Sequence, residues 1–94
     1  MNYKKTKNKL EVVLSTDFNL NAVRQIQKLL KDREHLYIDT SNSRFINSEA
    51  IIFMHRYMDE GNKLEIKNPP RIFYIALHIL GLHEVWDLKT IITP

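Results

Sequence analysis

Cysteine is absent from the sequence, which excludes a disulfide framework, a thiolate metal site and a cysteine nucleophile. A reducing compartment, the cytosol, is therefore the expected setting. Glycine occurs only at positions 61 and 81, too far apart for a glycine-rich phosphate loop. No apolar run approaches the roughly 20 residues that cross a bilayer, and the start lacks the apolar stretch of a signal peptide. A chain neither inserted in a membrane nor exported across one is expected. The four histidines, His35, His55, His78 and His83, show no helical spacing that would pair them as metal ligands. Asp59 and Glu60 are neighbours in a helical stretch, so their side chains diverge and cannot share a substrate. An independent enzyme active site is not expected, nor is a cofactor.

Acids are also missing from the first ten residues, where Lys4, Lys5, Lys7 and Lys9 stand alone. Of the 14 Lys and Arg, the remaining ten face all 11 Asp and Glu, so the net charge of +3 belongs to the N-terminal arm, residues 1–8 and their neighbour Lys9. Such an arm is expected to be solvated, not to bind nucleic acid. With 94 residues, 44% of them hydrophobic and 27% charged, the chain suits one folded domain and cannot fill a second core.

Periodicity supplies the elements. Residues 1–8 read as an extended polar arm or edge strand, and residues 10–14 as a β-strand. Leu20, Val23, Ile26, Leu29 and Leu30 recur at helical spacing behind a cap at Asn19 or its neighbour. Leu36-Tyr37-Ile38 is a short buried strand that ends on Asp39. Phe45-Ile46 is an apolar anchor within a polar loop, after which Ala50, Ile51, Met54, Tyr57 and Met58 mark a second helix closed by Gly61. His55 and Arg56 read as its exposed face. Residues 64–67 alternate as a strand with one wet face, and Asn68-Pro69-Pro70 reads as a cap and first turn. A third helix carries Ile72, Phe73, Ala76, Leu77 and Leu80 inward and stops at Gly81, and Val85-Trp86 with Ile91-Ile92 reads as a last strand. Strands alternating with helices predict an α/β domain with a mixed sheet of four to five strands and helices mainly on one face.

The concentrated polar feature runs from Asp39 through Thr40-Ser41-Asn42-Ser43-Arg44 to Asn47-Ser48-Glu49, from a strand end to a helix start. Ligands and partners of such sheets meet the carboxyl ends of strands and the adjoining helix N-termini. In a purely structural role, Asn47 or Ser48 caps the helix and Glu49 favours its dipole, each contributing about 0.5–1 kcal/mol.

The stretch 38–51, Ile38-Asp39-Thr40-Ser41-Asn42-Ser43-Arg44-Phe45-Ile46-Asn47-Ser48-Glu49-Ala50-Ile51, resembles the signature of the STAS domain, the module of anti-sigma factor antagonists and of the cytosolic ends of sulfate transporters. Gly61-Asn62 before the strand, Asn68-Pro69-Pro70 and Leu80-Gly81-Leu82 extend the resemblance over roughly residues 10–88. It implies a single STAS-like domain, 1–94, that binds a protein partner: an anti-sigma factor that is also a serine kinase, or a transporter ATPase subunit. In that family the kinase phosphorylates the first Ser of an Asp-Ser-Ser-Gly-Leu motif, and the phosphate releases the partner. The matching position is Ser48, the candidate phosphoacceptor, with Asp39, Arg44, Asn47 and Glu49 along the docking edge. Here Asn47 replaces the motif's Asp, Glu49 its second Ser and Ala50 its Gly. A fixed negative charge at Glu49 opposes phosphorylation electrostatically, so a constitutive accessory subunit of a transporter ATPase or sensory complex stands beside the switch. The first strand is expected to be short or missing, with little room for a final helix. Trp86 reads as core or sheet cover, or as part of a dimer surface.

Overall fold

In a computed structural model describing residues 1–94, apolar side chains on alternate strand positions set the arrangement. The strands are β1 (Asn2–Lys5), β2 (Lys9–Val13), β3 (His35–Asp39), β4 (Lys63–Lys67) and β5 (Ile92–Thr93). They lie side by side in sequence order, with β1 antiparallel to β2 and every other neighbour parallel. Helices α1 (Leu20–Leu30), α2 (Ser48–Asp59), α3 (Arg71–Ile79) and α4 (Leu88–Ile91) fill the connections. The result is a small α/β domain with a five-stranded mixed sheet and helices packed against it.

Register explains the core. Leu10, Leu36 and Leu64 are cross-strand partners, as are Val12, Ile38 and Ile66, and all six are buried. Because paired residues share a face, the intervening positions, among them Glu11, Tyr37 and Glu65, form a second face that is only half-buried. On it the His35 ring and the Glu65 carboxylate meet at 2.7 Å. Against the apolar face pack Val23 and Ile26 of α1, Ile51 and Met54 of α2, and Phe73 and Leu77 of α3. Asn19 itself caps α1, accepting from the Ala22 N–H at 2.9 Å.

Several expectations are corrected. Of the two readings of the N-terminal arm, the edge strand is the one found: four of its residues form β1, all exposed, and its lysines discourage pairing with further strands. Asn68 does not cap α3. It sits at φ 50° and turns its amide toward Ser41, while Pro70 occupies the cap position with no side-chain bond. Val85-Trp86 is not a strand, because the indole is drawn inward against Phe73, with ring centroids 5.9 Å apart, and its N–H donates to His55 Nδ1 at 3.1 Å. His55 is thereby half-buried instead of lying on an open face. Trp86 is core and no part of an exposed surface. The final strand is only Ile92–Thr93, preceded by the one-turn α4. Leu80 is exposed, since the inward side of α3 narrows to Phe73 and Leu77.

Candidate functional site

The polar segment between β3 and α2 is built as a braced loop. Thr40 is fully buried, and both its N–H and its hydroxyl donate to the Lys67 carbonyl, at 2.9 and 2.8 Å. This locks the end of β3 to the end of β4. Ser43 is buried too, and its hydroxyl donates to the Thr16 carbonyl at 2.7 Å. Asn42 reaches the Leu14 carbonyl at 3.3 Å. Short polar side chains are suited to this work because they satisfy backbone groups that a loop leaves unpaired.

A second brace comes from the β2–α1 loop. Asp17 Oδ1 accepts from the Arg44 N–H at 2.9 Å and the Phe45 N–H at 3.1 Å. Phe18 and Ile46 form a parallel bridge, with Phe18 N–H donating to the Phe45 carbonyl and Asn47 N–H to the Phe18 carbonyl. Ile46 is buried, but Phe45 is turned outward and 48% exposed, so only half of the expected apolar anchor is an anchor.

The loop delivers the chain to α2. Asn47 is the N-cap, its Oδ1 accepting from the Glu49 N–H at 2.7 Å. The amide thus performs the capping that an Asp in the same position would perform. Ser48 is the first helical residue, exposed, with no hydrogen bond to its hydroxyl. Its backbone N–H has no acceptor in the protein. Glu49 is exposed beside it, and the Arg44 guanidinium is free of any ion pair.

Asp39 belongs to a different group. Its Oδ1 accepts from the Ser41 hydroxyl at 2.5 Å and from the Ser41 N–H at 2.9 Å, and the Asn68 amide donates to the same hydroxyl at 3.2 Å. The Ser41 hydroxyl holds the Asp39 carboxyl below its ordinary pKa; burial opposes this, and the Ser41 N–H and the charge of Lys67 add to it. No hydrogen bond or ion pair joins Asp39 to Arg44, Asn47, Ser48 or Glu49. The sequence-predicted edge is therefore two clusters: Asp39, Ser41 and Asn68 over the β3 and β4 ends, and Arg44 to Glu49 over the β2–α1 loop.

Sequence reasoning missed Asp17, Phe45 as an exposed aromatic, and the groove between α1 and α2. That groove has a volume of about 740 Å³ and is lined by Leu20, Arg24, Glu49, Phe53 and Arg56 among others. The available signal was Leu20, which begins the stripe of α1 yet lies too close to its cap to be covered and is 40% exposed. No group of His, Asp and Glu is arranged to hold a metal ion, and no helix is long and apolar enough to cross a membrane. No family model matches the sequence, and no curated protein is significantly similar to it.

Proposed function

We propose that this protein is a cytoplasmic STAS-like regulatory module, acting by binding rather than catalysis, that docks a protein partner through Phe45, Arg44 and the N-terminus of α2. The observation that carries the reading is Ser48: an exposed, uncommitted hydroxyl at the first position of a helix that its neighbour Asn47 already caps. Supporting it are the sheet order, with one antiparallel edge strand and parallel strands joined by helices, and a loop braced from both sides. A braced loop loses little conformational freedom on docking, which favours recognition by a preformed surface. Phe45, turned outward, and Arg44, free of any ion pair, are adjacent and of residue types enriched at protein interfaces.

In the switched form of this reading, a serine kinase that is also the partner, such as an anti-sigma factor, transfers the γ-phosphoryl group of ATP to the Ser48 Oγ, releasing ADP and the hydroxyl proton. The phosphate then adds nearly two negative charges beside Glu49, repelling an acidic docking surface and hindering close approach. Glu49 itself favours a second form, constitutive binding as an accessory subunit of a transporter ATPase or sensory complex, because its exposed carboxylate already puts negative charge there. Intact mass of the protein recovered from its own cells distinguishes the two. One phosphate on the wild type and none on Ser48→Ala is the switched result. An unmodified wild type whose partner capture is weakened by Phe45→Ala is the constitutive one. Partner capture unaffected by both Phe45→Ala and Arg44→Ala removes this edge as the docking surface.

A further inference from the structure

Helix α3 is apolar on two opposite sides. Phe73 and Leu77 face the core, while Tyr74, Ile75 and Ile79 point away from it and are 39%, 47% and 78% exposed. Arg71 and His78 share this outer side by helical spacing and are also exposed. A surface helix ordinarily sets polar residues against its buried stripe. Ile75 and Ile79 are neighbours one turn apart, and with Tyr74 on the flank they leave an apolar patch of roughly 300 Å², a size at which such patches are often functional.

We infer that the outer face of α3 binds a second copy of this chain, the two helices lying antiparallel about a two-fold axis. Charge selects that occupant and that direction. The N-terminal end of this side carries the cation Arg71; at its C-terminal end His83 stacks on His78, ring centroids 3.9 Å apart, and beside His83 stands Glu84, whose side chain is 86% exposed and only loosely engaged by His83 at 3.7 Å. Antiparallel pairing sets Ile75 against the partner's Ile79 and Arg71 near the partner's Glu84, and symmetry repeats both contacts. Parallel pairing would oppose like charges. A face that is its own complement under a two-fold rotation fits a second copy better than an unrelated partner.

The area agrees. At roughly 150–200 Å² for a bare side chain of this size, Tyr74, Ile75 and Ile79 leave about 300 Å² uncovered. The stems of Arg71 and His78 enlarge the footprint, which stays below the roughly 800 Å² per partner of a standard interface. A footprint of that size is that of a weak dimer that exchanges with monomer.

Sedimentation equilibrium of the 94-residue chain between about 1 and 500 µM is the test, a range chosen to bracket an interface of this size. The expected mass rises from 11.2 kDa toward twice that value as concentration increases. Ile79→Arg, at an exposed position, is expected to keep the wild-type circular dichroism and thermal midpoint while remaining at the single-chain mass. Arg71→Glu and Glu84→Arg are each expected to weaken association by about tenfold, and their combination to recover most of it. A wild type that stays at single-chain mass throughout overturns the proposal. So does an Ile79→Arg variant that associates as tightly as the wild type, or a double exchange no tighter than either single one.

Discussion

Asn47 and Ser48 stand next to each other and do different work. Asn47 accepts the Glu49 N–H, so Asn47→Ala is expected to cost about 1 kcal/mol, as loss of a cap does. Ser48 touches nothing polar, so Ser48→Ala is expected to change stability by less than about 0.5 kcal/mol. Urea unfolding of both variants checks the contrast, and a costly Ser48→Ala would mean that its hydroxyl is structural. The sequence left open which of the two residues caps the helix, because both types serve; only the backbone at Asn47, extended at ψ 145°, settles it. Asp39 carries a pH signature. Its carboxyl is held below its ordinary value by Ser41, so the folded state gains from this group above the unfolded pKa and loses that gain as pH falls through the lower folded value. Ser41→Ala is expected to move the Asp39 titration upward, observed as the midpoint of its side-chain carbon shift in NMR. An unmoved midpoint would assign the shift to the residue-41 N–H and Lys67 instead. This cluster was hidden in the sequence because Asn68, its third member, is 29 positions from Asp39 and reads there as a helix cap.

Helices α1 and α2 are tied to the rest of the fold by groups at their ends, and Tyr57 shows what such a tie does. The phenol, near the end of α2, donates to the Arg33 carbonyl at 2.9 Å across the α1–β3 connection. Burial, with a smaller effect from the charge of Glu34, pushes its pKa up to about 12 from an ordinary 10.0. The neutral phenol is therefore favoured by folding: its contribution is whole below the unfolded value and is lost as pH rises through the folded one. Tyr57→Phe is expected to cost about 1 kcal/mol at neutral pH, and to flatten the fall of stability between about pH 10 and 12. Urea midpoints for both proteins across that range test it, and parallel curves would refute the assignment. The helices themselves were legible because their stripes repeat at three and four residues over long spans. The last segment was not. Val85-Trp86 has strand-forming residues but is too short for periodicity to decide, and the fate of Trp86 rests on Phe73 and His55, which lie far back in the chain.

Parallel sheets usually have both faces covered, whereas here one face keeps charged and polar residues half open to water. The single apolar face must then hold nearly all of the burial that stabilises the domain. Its strand contribution is two cross-strand rows, Leu10-Leu36-Leu64 and Val12-Ile38-Ile66, so alternate residues of one strand differ sharply in weight. The alternation in residues 64–67 announced this division in the sequence. In β3 it did not, because Leu36-Tyr37-Ile38 is apolar throughout and only the register shows Tyr37 beside Glu11 and Glu65 on the open face. For 94 residues a total stability of roughly 5–14 kcal/mol is expected. Ile38→Ala, fully buried at the centre of its row, is expected to remove about 2–5 kcal/mol of it. Val13→Ala, at the end of β2 with its side chain 39% exposed, is expected to remove less than about 1 kcal/mol. Chemical denaturation with matched slopes measures both. If the two losses were equal, the outer face would be covered in solution, and the apolar rows could not by themselves hold the sheet.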